Sequence, residues 1–154
     1  MELLFKEHKE KPEQFFQLLP KSWQKGIVPY WDTYTGNAAI YTLEENGQIV
    51  AGGVVFKDFS EDLKDFQEEA KYWLGLGYFY LGYIWVIKAK RGQNLGSKWL
   101  KELLKQHPNT NFWLTIEEEK LKNFYLKNGF RLVKKLQKGS TVEWLLVHEK
   151  GVSV

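Results

Sequence analysis

Between Tyr78 and Lys88 the chain carries apolar side chains at nearly every position: Phe79, Leu81, Tyr83 and Trp85 at one parity, Tyr80, Ile84 and Val86 at the other. A strand with one wet face alternates apolar and polar residues, so apolar residues at both parities demand cover on both sides. The segment is expected as a central strand of a helix-covered sheet. Its exit is equally restrictive. A basic, glycine-containing turn (Lys90-Arg91-Gly92-Gln93-Asn94) leads straight into a helix from about Leu95 to Gln106, with Leu95, Trp99, Leu100, Leu103 and Leu104 facing inward. Pro108 ends that helix.

The flanking segments complete a mixed order. Pro12 to Leu19 reads as a short amphipathic helix that Pro20 ends, and Tyr30 to Asn37 as loop. Ala38 to Leu43 and Ile49 to Phe56 read as strands joined through Asn46-Gly47, where both residues tolerate positive φ. Ser60 is placed to cap a helix with Glu61 and Asp62 in its first turn, ending near Gly75 and Gly77. Phe112 to Ile116 reads as a strand. Glu117 to Lys127 reads as a helix burying Leu121, Phe124 and Tyr125, ended by left-handed Asn128-Gly129. Arg131 to Gln137 and Thr141 to His148 form a last hairpin around Lys138-Gly139-Ser140. The pattern predicts an α/β (α+β) fold in one domain over residues 1–154.

Composition removes several chemistries. There is no cysteine, which excludes disulfides, thiolate metal sites and a cysteine nucleophile. His8, His107 and His148 stand at spacings that make no metal site, so no metal is expected. No run approaches a membrane helix, and Met1 to Lys11 is charged without an apolar stretch, so a cytoplasmic protein is expected. A net charge of +3 is too mild to announce a nucleic-acid binder.

The strand–turn–helix carries the chemistry. Consecutive N–H groups in such a turn converge outward, and the helix start adds about half a positive charge. That arrangement binds phosphate or pyrophosphate. A plain solvated surface turn would have the same composition. The P-loop and dinucleotide fingerprints are both absent, since neither G-x-x-x-x-G-K-[ST] nor G-x-G-x-x-G occurs here.

Two blocks resemble the GCN5-related N-acetyltransferase (GNAT) superfamily. Val86 to Leu100 resembles its acyl-CoA motif, V-x(4)-[QR]-x-x-G-x-[GA], and Asn123 to Phe130 resembles its FY-x-x-x-GF block. The resemblance covers about Ala38 to Gln137. It implies a mixed, mostly antiparallel twisted sheet of six to seven strands with helices on both faces, splayed between the fourth and fifth strands. It also implies acetyl-CoA as co-substrate. Backbone at Ile84, Trp85 and Val86 would pair with the pantetheine arm, and Arg91, Gly92, Gln93, Asn94, Leu95, Gly96 and Ser97 would hold the pyrophosphate. Tyr125 matches the family's general acid. Asn94 stands where the family usually has glycine, and Glu118 where many members have asparagine.

The general base is open: the central strand has no carboxylate, and Glu117 and His148 are the candidates beside a water relay. The acid-rich segment Lys57 to Lys71 reads as a solvated helix face or as an attractor for a cationic amine. The aromatics of Tyr72 to Trp85 read as core, acceptor wall or homodimer contact. The resemblance implies acetyl transfer from acetyl-CoA to a primary amine of a small molecule or peptide, by direct attack in a ternary complex. The rival is a non-catalytic CoA- or nucleic-acid-binding module on the same fold.

Overall fold

The computed structural model describes residues 2–151. Seven strands form one sheet, in the order β1-β2-β3-β4-β5-β7-β6. Strands β2 (Ala38–Glu45) and β3 (Gln48–Phe56) pair antiparallel around Asn46 and Gly47, whose φ values of 54° and 79° are those of the tight turn their sequence predicts. Strand β1 (Leu3–Glu7), which the sequence pattern does not announce, lies antiparallel on β2 at the sheet edge. Its charges conceal a short alternation: Leu3 and Phe5 are half-buried, Leu4 and Lys6 exposed.

Strand β4 (Phe79–Val86) runs antiparallel to β3 and is central, as expected. Its facing differs from simple alternation. Val54 pairs with Gly82 and Gly52 with Trp85, so Tyr83 and Ile84 together oppose Gly53. This one-residue bulge puts Tyr83 at φ 58° and reverses the parity beyond it. Tyr80, Tyr83 and Trp85 therefore face one core layer, and Leu81, Ile84 and Val86 the other. Tyr83 and Trp85 do not share a side with Phe79 and Leu81.

Next comes β5 (Phe112–Ile116), which pairs parallel to β4 only at Phe79–Phe112 and Tyr80–Trp113 before the strands part. Strand β7 (Thr141–His148) runs antiparallel to β5, and β6 (Arg131–Lys138) covers its outer side.

Helices cover both faces. On one lie α1 (Glu13–Phe16), α2 (Lys21–Ile27) and α3 (Gln67–Gly75), packed through Phe15, Phe16, Ile27, Ala70 and Trp73. The predicted N-terminal helix is thus shorter, α2 is an element the sequence pattern does not announce, and a 3-10 helix over Val28–Tyr34 replaces much of the expected loop. Ser60 caps no helix by its side chain. A 3-10 segment, Glu61–Phe66, precedes α3, and the Ser60 hydroxyl turns to the Asp62 carboxylate.

On the other face lie α4 (Leu95–Gln106), with the predicted bounds, and α5 (Lys122–Leu126). Trp99 of α4 is wholly buried, its Nε1–H donating to the Tyr41 carbonyl at 2.9 Å. It lies so close to β3 that a Cβ on Gly53 would stand 2.6 Å from its ring. The predicted helix over Glu117–Lys127 is a 3-10 turn, Glu119–Leu121, running into α5, and Leu121 is exposed rather than buried. Of the expected left-handed pair only Gly129 has positive φ, at 89°. Asn128 is buried, and its Nδ2 donates to Ser97 Oγ at 3.1 Å and to the Phe124 carbonyl at 2.8 Å. No helix among the described residues is long and apolar enough to cross a membrane.

Candidate active site

Where β4 and β5 part, β4 loses its strand partner on one side, and two cavities open along the gap. The larger, about 770 Å³, runs along the end of β4, the turn after it and the faces of α4 and α5. The smaller, about 310 Å³, reaches inward between β4, β5 and β7. Both are lined by Trp23, Ile84, Glu118, Leu121 and Tyr125, so they meet beside Tyr125.

The turn in the larger cavity owes its shape to Gly92 at φ 80° and Asn94 at φ 65°, ψ 21°. A Cβ at Gly92 would meet nothing, so the backbone faces open space there. Asparagine is among the few side-chain-bearing residues that take the left-handed region readily. The first N–H groups of α4 have no intrahelical acceptor, and no side chain caps them. A Cβ at Gly96 would approach Phe124 to 3.1 Å, so glycine keeps this floor flat.

Arg91 donates from Nε to the Val86 carbonyl at 3.0 Å, and its guanidinium lies 4.5 Å from the Trp85 ring centroid. The nearby lysines are largely engaged, Lys90 with Glu45 at 2.6 Å and Lys98 with Glu102 at 3.1 Å. The basic stretch from Val86 to Lys135 is similarly interrupted by Lys120–Glu118, Lys122–Glu119, Arg131–Glu149 and Lys134–Glu69 pairs.

Of the residues singled out from sequence, Ile84, Trp85, Val86, Arg91, Gly92, Asn94, Leu95, Gly96 and Ser97 all line the larger cavity, while Gln93 does not. Tyr125 stands at the junction, buried, with burial holding its phenol well above the ordinary tyrosine range. Glu117 lines the smaller cavity from the end of β5. His148 lies at neither. It is buried against Phe130, with ring centroids 5.2 Å apart, and burial lowers its pKa. The structure does not bring it to the site.

The smaller cavity adds residues that sequence reasoning names only as members of the acid-rich run (Asp62) or the aromatic run (Tyr80, Tyr83), and one that it does not name, Glu143. Asp62 reaches it from the 3-10 segment, Tyr80 and Tyr83 from β4, and Glu143 from β7. As a residue Asp62 is exposed, but its carboxylate turns inward, accepting from Ser60 Oγ and from Tyr80 Oη at 2.5 Å. Desolvation raises the pKa of Asp62 and of Glu143. Glu143 carries no usable signal, since one acid on a C-terminal strand is ordinary in any sequence. Asp62 lies within the acid-rich run, whose members look alike until folding turns one inward. Among the described residues no group of acids and histidines is placed to hold a metal ion.

The comparisons with known proteins agree with this geometry. No curated protein matches the chain. Among solved structures, a histone acetyltransferase HPA2 and related acetyltransferase from Corynebacterium glutamicum superposes with a TM-score of 0.71 at 11% identity, covering 100% of this chain and 99% of that one. A GNAT family acetyltransferase from Elizabethkingia anophelis, with acetyl-CoA bound, gives 0.62 at 17% identity over 96% and 97%. An aminoglycoside 6'-N-acetyltransferase complexed with coenzyme A gives 0.68 at 12% identity over 94% and 95%. At these identities the likeness establishes the fold. The profile described as acetyltransferase (GNAT) domain matches residues 36–132, which hold four of the seven strands and most of the residues lining the two cavities, and the chain accordingly belongs to the GNAT acetyltransferase family.

Proposed function

We propose that the protein transfers an acetyl group from acetyl-CoA to a primary amine. The observation that carries this is the junction of the two cavities beside Tyr125, one cavity bordered by an uncapped helix start and the other by acids. The cradle fits an acyl-CoA. The amides of Gly92 to Ser97 would hold the pyrophosphate, and the unpaired edge of β4 at Ile84 to Val86 would hold the pantetheine arm. Two structures of the same fold hold acetyl-CoA or coenzyme A, which supports the same reading.

Acetyl-CoA supplies an acyl thioester, which an amine can attack with loss of the thiol. The chain's own residues supply the proton inventory. Tyr125 Oη, kept neutral by burial, holds the proton that a departing thiolate needs. Glu117 sits in the acceptor cavity and takes the proton an attacking ammonium must shed, directly or through water. Backbone N–H at the end of β4 is placed to polarise the carbonyl.

Calorimetric titration with acetyl-CoA tests the cradle. Wild-type protein should bind, and Gly96→Trp, checked for folding by circular dichroism, should not, because any side chain there meets Phe124 and the cavity. Tyr125→Phe should bind acetyl-CoA normally and lose on the order of 10²-fold or more in kcat. Binding by Gly96→Trp equal to wild type would move the cofactor elsewhere.

A further inference from the structure

The smaller cavity has a chemistry of its own. Asp62, Glu117, Glu118 and Glu143 line it, and among the described residues no Lys, Arg or His does. The acids are spread over three walls, and no group of them is placed to hold a metal ion. Tyr83 lines this cavity as well. That residue is 9% exposed, and its hydroxyl is buried without a hydrogen-bond partner of ordinary geometry. The Asp62 oxygens accept from Ser60 and Tyr80, and the Tyr83 hydroxyl stands close to the same carboxylate. A buried hydroxyl left unpaired costs free energy unless a ligand supplies the partner.

Membership of the two linings separates two roles. Tyr125, Glu118 and Ile84 lie at the junction with the cofactor groove, where acyl transfer takes place under the reading above. Asp62, Tyr83 and Glu143 line only the inner cavity. A single amine at the junction would leave these inner groups without a counter-charge. The volume, about 310 Å³, is at the small end of ligand pockets and suits a compact molecule.

We infer that the acceptor is a small amine carrying a second positive charge, and that Asp62, Glu143 and Tyr83 bind this distal ammonium while the reacting amine sits beneath Tyr125. The inference rests on the acetyltransferase reading for the position of the reacting amine. The distal ammonium donates to the two carboxylates and to the Tyr83 oxygen, three acceptors for its three N–H donors. Asp62, Glu143 and Tyr83 act as specificity-determining residues, since they touch the part of the substrate that does not react.

The test compares 1,4-diaminobutane with butylamine by calorimetric titration, with and without coenzyme A, on wild type, Asp62→Asn, Glu143→Gln and Tyr83→Phe. Wild type should bind the diamine at least tenfold more tightly than the monoamine. Removing either charge should weaken diamine binding by about tenfold to a hundredfold, the worth of a charged hydrogen bond, and leave butylamine and coenzyme A binding unchanged. Tyr83→Phe alters one atom and should give a smaller loss, which covers the case in which a charge variant folds poorly. Equal affinity for the two amines, or a diamine preference that survives both charge variants, overturns the inference. Because the amines are also titrated alone, absence of coenzyme A binding would sink the transferase reading without deciding this one.

Discussion

Gly53 and Trp99 make the tightest joint between the sheet and the helix that carries the proposed cofactor turn. A Cβ at position 53 would lie 2.6 Å from Trp99 Cη2, 2.7 Å from Cζ2 and 3.2 Å from Ile84 Cγ1. Trp99 cannot swing aside cheaply, being wholly buried and tied by Nε1–H to the Tyr41 carbonyl. Gly53→Ala must therefore overpack the layer, at a cost of about 1–3 kcal/mol. At about 2–4 °C per kcal/mol for a protein of this size, the melting temperature should fall by roughly 2–12 °C. Trp99 sits one turn into α4 from Leu95, so the shift also tilts the turn amides, and acetyl-CoA affinity should fall with stability. Trp99→Phe deletes the two ring carbons that the new methyl meets. In that background Gly53→Ala should cost less, with a coupling of about 0.5–3 kcal/mol in a double-mutant cycle read by denaturant unfolding. Strictly additive effects, or a Gly53→Ala protein that melts like wild type, would refute the steric reasoning.

Asn94→Val should lose about 1–2 kcal/mol, because a β-branched side chain resists the left-handed backbone at φ 65°, and should weaken acetyl-CoA binding, whereas Asn94→Gly should retain both; melting and calorimetry decide it. Asn128→Ala removes the buried link from the end of α5 to Ser97 in the first turn of α4 and should cost about 1–3 kcal/mol in denaturant unfolding. The pKa of Glu143 is raised chiefly by desolvation, so its contribution to stability is present at low pH and is lost as pH rises through that folded value. Glu143→Gln, which never ionises, should gain in melting temperature relative to wild type between about pH 4 and pH 8. A difference that does not change with pH would refute this. Glu149, whose pKa is lowered chiefly by Arg131, shifts stability in the opposite sense but equally in both proteins.

Much of the cofactor side is legible in the sequence, because it rests on local rules. A doubly covered strand, a glycine turn and an amphipathic helix follow one another within about thirty residues, and each is specified by periodicity or backbone freedom. Helix α4 begins and ends where its apolar stripe and Pro108 place it. The short edge strand β1 is not legible, since five residues with two charges look like a solvated terminus until β2 supplies hydrogen-bond partners.

The acceptor side is decided by tertiary structure. One extra residue in β4, opposite Gly53, reverses the parity of Tyr83 and Trp85, and no periodicity announces a bulge. The bulge places Tyr83 near Asp62, contributed from before α3, and Glu143, contributed from β7 far along the chain. Pairing of β7 with β5 sets His148, a reasonable base by residue type, opposite Phe112 and against Phe130, away from both cavities. Sequence by itself determines most of the strands, α4 and the turn before it, because backbone geometry is local. Which side chains share the acceptor cavity is a matter of strand pairing and splay, which depend on contacts between residues far apart in the chain.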